Sequence, residues 1–482
     1  MSSTESIISP NSPLLIRIRA QKVDSGSSKG LPTFYRNLEE ALDIRRSSQS
    51  LCPIVENNWQ AGSSVDFSSN DILSLNASGT LRTEFLAELS RHPGFSTGSG
   101  GSRLIDGNYP YIEKAELEIA EFHGAESGLI LGSGFDANVA IWTAIPRPGD
   151  VIVYDALVHA STHEGMNQSV AMQKFEFTHN DVESFREVLH SILKTQPLVK
   201  QGKRSVIVAV ESVYSMEGDV CPLQELVDIS KELSDGHGNI QFVVDEAHST
   251  GIIGPKGSGL VCELGLEKEI ALIVHTCGKA MGGSGAIILG NKTTKAALAN
   301  FARSIVFTTA PSFPFVASMR AAYTLLQRGE TQQAQGHVQS LVRLFFEAVT
   351  SHPFWHETHS RGLLSIPLSK GWENRPFVTH IVTLWTPQRY LYWLHFHLLS
   401  SSYCAFPVGP PAVPPGQSRL KITFHASNTE DQVQGLVNAI FEWAQEIMAI
   451  DGGNTDKKSS GAAEAVYSWM RAEGLSGFGM PS

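Results

Sequence analysis

Long apolar runs are missing from this sequence. No stretch is long enough to span a bilayer, and the most apolar and aromatic one, residues 391–399, is short and carries His395 and His397, so a core helix is expected there. Cysteine is scarce: five in 482 residues, scattered, with no CxxC pair. That excludes a disulfide framework and favours a reducing compartment. Positive charge is also in short supply, with 37 Lys and Arg against 48 Asp and Glu and a net charge of −11. A general nucleic-acid binder or a protein held on an anionic membrane is therefore not expected. There is no internal repeat. His352, His356 and His359 lie close together, but Pro353 argues against a regular ligand helix, so no metal is expected.

What is present fits a globular chain. Hydrophobic residues make up 42% and charged residues 18%, and the length allows a large core in two or three domains. Residues 1–30 are serine-rich and carry Arg17, Arg19 and Lys22, a pattern faintly like a transit peptide; Glu5 and Asp24 oppose it, and a disordered leader is expected. The chain ends Met480-Pro481-Ser482, unlike a peroxisomal signal. A cytoplasmic setting is favoured, with mitochondrion and peroxisome left open.

Chemistry concentrates where apolar strands run into polar loops. Residues 270–274 form one such run, followed by His275-Thr276-Cys277-Gly278-Lys279, in which Lys279 stands among small residues. Partial burial makes a lysine less basic and so a usable amine nucleophile; taken alone, it also fits a solvated loop. Cys277 is expected to be a small packed side chain. The run 241–244 ends in Asp245, with His248 three residues on. Ligands of open α/β sheets sit at the carboxyl ends of strands, so Asp245, His248 and Lys279 could share a crevice. Residues 151–155 lead to His159, and residues 206–210 lead through Glu211 to Ser215. A strand at 130–131 feeds Gly132-Ser133-Gly134-Phe135 and then a helix start, whose free amides suit a phosphate. The glycine-rich loop 98–108 holds Ser102, and Asn70 lies in the segment 67–75, where an Asx turn is an equal reading. Residues 286–290 read as an antiparallel strand.

In this order and spacing the motifs resemble those of the α-oxoamine synthase family, pyridoxal-phosphate enzymes that join an amino acid to an acyl-CoA with loss of carbon dioxide. The likeness covers residues 31–449. It implies an α/β, fold-type I aminotransferase-like architecture. A helical segment at 31–64 precedes a large cofactor domain at 65–317, built on a mainly parallel seven-stranded sheet. A smaller α+β domain follows at 318–449. The tail, 450–482, lies outside the likeness; a helix at 462–473 stopped by Gly474 is expected there. The resemblance makes pyridoxal 5'-phosphate the cofactor and Lys279 the residue that carries it. It gives Asp245 the pyridine nitrogen, His248 and Ser215 the ring oxygen, and His159 the ring face. Ser133, Gly134, Phe135 and Thr276 would hold the phosphate. Thr308 and Thr309 would reach into the phosphate site of a neighbouring subunit, which implies a homodimer with shared active sites. Lys279, His159, Asp245 and His248 are the expected catalytic set, with Asn70 and Ser102 facing substrate.

The chain departs from the family at Ile72, where a tyrosine is usual, and at Lys421, where an arginine forks onto the amino acid's carboxylate. Lysine keeps the charge without the two-pronged geometry. Arg419 would replace it only if the strand were locally shifted. The nearest likeness within the family is to 8-amino-7-oxononanoate synthases of biotin synthesis, so alanine and a pimeloyl-CoA-like thioester are the favoured substrates. A relative in specialised metabolism, using another amino acid or acyl thioester, fits Lys421 and the tail. Two further readings are a fold-type I aminotransferase and a non-catalytic partner subunit; the latter is disfavoured because Lys279 is present.

Overall fold

The structure is a computed structural model describing residues 12–23, 30–54 and 64–481. The chain forms two compact units, one of Asn70–Gln339 and one of Met1–Ser69 with Ser340–Ser482. The boundary falls inside the helix Gln332–Thr350, downstream of the expected 317/318.

The first unit is built on seven strands: β1 (Ser127–Leu131), β2 (Val151–Asp155), β3 (Gln173–Phe177), β4 (Val206–Glu211), β5 (Ile240–Asp245), β6 (Ile270–Thr276) and β7 (Ala286–Gly290). They lie in the order β1-β7-β6-β5-β4-β2-β3. β7 runs antiparallel to both neighbours and the remaining pairs are parallel. The sequence explains this arrangement. β4 and β6 are nearly continuous in Val, Ile and Leu and bury almost every residue, as a sheet covered on both faces requires. Helix Gly134–Ala144 covers one face, where Ile141 and Trp142 pack with Ile152, Val274 and Ile288. Because these strands share a direction, Glu211 pairs with Asp245 and Asp245 with Val274. Leu131 and Thr276 flank Ala286. One edge of the sheet thus gathers the ends of β1, β4, β5 and β6.

The second unit holds a three-stranded antiparallel sheet in the order Phe406–Val408, Arg419–Thr423, Ile381–Leu384. Helix Leu391–Ser400 is buried through Leu394, Phe396 and Leu398, the core helix expected from its composition. Helix Glu430–Asp451 starts with a reciprocal cap between Thr429 and Gln432. Helix Gly461–Ala472 is capped by Ser460 and buries Val466, Tyr467 and Met470; Gly474 follows at φ +68°, a left-handed stop that favours glycine.

The leader needs correction. Residues 1–11 and 24–29 lie outside the described residues, but Pro13–Arg19 is a helix capped by Ser12. Leu15 and Ile18 are fully buried on it, and Arg19 pairs with Glu473 at 3.0 Å. A proline at the first helical position and three apolar residues on one side were signals outweighed by the serine content. Helix Thr33–Ser47 lies within the expected helical segment 31–64 and buries no residue.

Candidate active site

Lys279 follows β6 in a turn closed by Gly282 N–H on the Lys279 carbonyl (2.8 Å), Gly283 N–H on the Cys277 carbonyl (2.8 Å) and Cys277 N–H on the Gly285 carbonyl (2.9 Å). Gly285 sits at φ +94°, and a Cβ there would come within 2.6 Å of Phe315, so the turn needs glycine at this point. The turn aims the half-buried Lys279 at His248, Nζ to Nε2 2.9 Å. Burial lowers the amine's pKa, opposed by Asp245 and then Glu211. The Cys277 thiol is fully buried, and burial pushes it up to about 12, which is the packed role expected of it.

Asp245 ends β5. Its Oδ1 accepts the Ala247 N–H at 2.9 Å, and its Oδ2 accepts from Asn138 Nδ2 at 2.8 Å. Asn138 also donates to Ser161 Oγ at 3.0 Å, and Ser161 Oγ lies 2.7 Å from His159 Nδ1. The Ser161 N–H donates to that same nitrogen, which puts the proton of neutral His159 on Nε2. One chain of hydrogen bonds therefore joins Asp245 to His159. The imidazole's pKa is lowered by burial, against the pull of Asp245. Phe135 stands edge-on to it, ring centres 6.5 Å apart.

Glu211 accepts the His159 N–H at 2.5 Å and is buried beside Asp245. Burial, then the neighbouring Asp245 carboxylate, raises its pKa well above the usual carboxylate range. Ser133 caps helix Gly134–Ala144 by accepting the Asp136 N–H at 3.1 Å. The first-turn amides of a helix have no acceptor within it. Gly134 brings this end against Thr276, where a Cβ would lie 3.5 Å from the threonine. Thr276 Oγ1 in turn accepts the Gly278 N–H at 3.2 Å.

Ser215 lies in the loop after β4, whose base is a bridge between Val213 and Val220. Thr308 and Thr309 line a cavity of about 240 Å³ with Arg103, Gly132 and Asp136. Thr309 pairs with Ser102, whose Oγ is buried without a partner among the described residues. Asn70 is exposed and Ile72 buried. Within the second unit the register of Arg419–Thr423 is regular on both sides, so the shift that would recruit Arg419 is absent. Its guanidinium lies 3.9 Å over Trp385 and donates to the Gln417 carbonyl at 2.9 Å. Lys421 sits two residues on, half-buried. Among the described residues no group of three His, Cys, Asp or Glu could hold a metal ion; His352 stacks on Phe441 at 3.6 Å.

Sequence reasoning missed Asn138 and Glu211. Each left a signal. Asn138 is polar between Ala137 and Ala140 on a buried helix face, and Glu211 ends an apolar strand as Asp245 does.

The profile of the aminotransferase class I and II family matches residues 63–440. An 8-amino-7-oxononanoate synthase of Emericella nidulans is 42% identical over 414 residues, 85% of this chain and 96% of that one. The chain belongs to this family, in its α-oxoamine synthase branch. Pyridoxal 5'-phosphate is the cofactor of this synthase-family protein. Its residues suit that group: an amine of lowered basicity, an anchored carboxylate, two imidazoles and a helix N-terminus stand at one sheet edge. An aminoacyl transferase sphA of Aspergillus fumigatus is 51% identical over 461 residues, 96% of this chain and 98% of that one. The fold of a serine palmitoyltransferase from Sphingomonas wittichii is similar, with a TM-score of 0.67 over 88% of this chain and 98% of that one; at 22% identity the likeness concerns fold alone. Among the described residues no helix is long and apolar enough to cross a membrane.

Proposed function

We propose that this synthase joins an amino acid to an acyl thioester with loss of carbon dioxide, releasing an α-aminoketone and a free thiol. The observation that carries the reading is the Lys279 amine, 2.9 Å from His248, near an Asp245 held by Asn138. In this reading Lys279 binds the cofactor covalently, Asp245 faces the pyridine nitrogen, and His159 lies on the ring. His248 and Ser215 orient the ring oxygen. Ser133, Gly134, Phe135 and Thr276 hold the phosphate, joined by Thr308 and Thr309 of a second copy in a homodimer. Bound there, pyridoxal phosphate supplies an electron-accepting ring for the pair released at the amino acid's α-carbon. Lys279 takes the α-proton, and burial, by lowering its pKa, keeps more of the amine unprotonated and available as the base. A carbon–carbon bond then forms from the α-carbon to the acyl carbon, the carbon–sulfur bond breaks and the thiol leaves. Loss of the carboxyl group and return of a proton complete the exchange. Asn70 and Ser102 face substrate, and the amino acid's carboxylate falls to Lys421.

The 51% relative named an aminoacyl transferase, with Lys421 in place of a forking arginine, supports an acyl thioester and amino acid of specialised metabolism. The 42% relative supports the second reading, alanine with pimeloyl-CoA. Purified protein with pyridoxal phosphate should release thiol from an acyl-CoA only when an amino acid is added, and Lys279→Ala should slow release by about 10²–10⁴-fold. Alanine with pimeloyl-CoA and serine with palmitoyl-CoA run in parallel separate the two substrate readings. Exchange of the amino group with a keto acid, without thiol release from any pair, would show an aminotransferase instead.

A further inference from the structure

Three loops leave the sheet edge beside the site, after β2, β3 and β4. The first carries His159 and the third carries Ser215; the second carries no expected site residue, yet His179 within it lies between two acids. Its Nδ1 is 2.9 Å from Asp155 Oδ1 and its Nε2 is 2.9 Å from Asp219 Oδ2. Asn180 repeats the bridge, its N–H donating to Asp155 Oδ2 at 2.8 Å and its Nδ2 to Asp219 Oδ2 at 2.9 Å. Asn180 adopts φ +51°, a left-handed conformation that asparagine tolerates better than most residues with a side chain.

Each acid shapes a loop. Asp155 Oδ1 also accepts the Leu157 N–H at 2.8 Å, two residues before His159. The Asp219 carbonyl accepts the Tyr214 N–H at 3.1 Å, which closes the loop around Ser215, and the Gly218 N–H meets the Tyr214 carbonyl at 2.7 Å. Tyr214 then stands edge-on against the His179 ring, centres 4.5 Å apart. With Asp155 on one side and Asp219 on the other, the imidazole's pKa is raised to about 10, although burial opposes this. At neutral pH the ring is thus a cation with both N–H groups donated. A neutral ring could donate only one.

We propose that His179, with Asp155 and Asp219, is a clamp that holds the loops of His159 and Ser215 in the placement pyridoxal phosphate requires. His179 is thus a positioning residue for cofactor binding. The clamp rests on the assignment of His159 and Ser215 to the cofactor, and the experiment separates the two. Apoprotein is titrated with pyridoxal phosphate, reading the dissociation constant and the visible circular dichroism of the bound cofactor, with far-ultraviolet dichroism as the check on folding. His179→Gln is expected to raise the dissociation constant about tenfold or more, as loss of charge-assisted bonds implies, and to weaken the visible band while the fold persists. Asp219→Asn should act in the same direction, and it carries the test if His179→Gln does not fold. His159→Ala and Ser215→Ala serve as references. A folded His179→Gln or Asp219→Asn with a dissociation constant within about twofold of the parent and an unchanged band, beside weakened references, would overturn the clamp alone. Unchanged binding in the references as well would overturn both assignments.

Discussion

Asn138 gives the site its order at the scale of single residues. Its amide donates to Asp245 at 2.8 Å and to Ser161 at 3.0 Å, so an acid and an imidazole are set by one side chain. Removing a hydrogen bond to a charged group costs about 1.5–3 kcal/mol. Asn138→Ala should therefore weaken pyridoxal-phosphate binding by roughly 10–100-fold, with little change in overall fold. Equilibrium titration of the apoprotein checks this, and an unchanged affinity would remove Asn138 from the site. His179 yields a prediction of the opposite kind, about pH. Its folded pKa is raised to about 10, against about 6.5 for an unperturbed histidine. The native state therefore keeps a proton that the unfolded state gives up. The stabilisation is full below about 6.5 and is lost as pH rises toward 10. Denaturant midpoints from pH 6 to 9 should fall more steeply in the parent than in His179→Gln. Equal slopes would mean that His179 is not the cation described.

At the scale of elements, the strand-to-loop pattern made most of the candidate site legible. β4, β5 and β6 each announce themselves as apolar runs ending in a polar group, and parallel pairing brings those ends to one edge. β7 was expected as an antiparallel strand, and it pairs antiparallel with both neighbours. What could not be read was cross-element pairing. Nothing in one dimension joins His179 to Asp155 and Asp219, or Asn138 to Asp245, because each contact spans 24 or more residues. The leader failed for a different reason: composition outweighed a seven-residue helix whose apolar face is buried by distant partners. That helix is tied to the tail helix through Arg19, which pairs with Glu473 and lies 5.0 Å over Trp469. Leu15→Ala should cost about 2–5 kcal/mol in unfolding experiments, since Leu15 has 0% exposure. An unchanged midpoint would show that the helix contributes nothing to the core.

At the scale of the whole molecule, the family match spans residues 63–440, and the tail beyond it belongs to the second unit. Lys421 lies on an unshifted strand, and Arg419, two residues before it, stacks over Trp385. The tail helix is integrated into the core of that unit through Tyr467, whose buried ring meets that of Phe396 edge-on, centres 6.1 Å apart. All of the chemistry proposed here depends on one covalent attachment, and that can be read directly. Holoprotein reduced with borohydride and digested should yield a single pyridoxyl-labelled peptide, with the label on Lys279. A label on another lysine, or none on a protein that still binds the cofactor, would contradict the account.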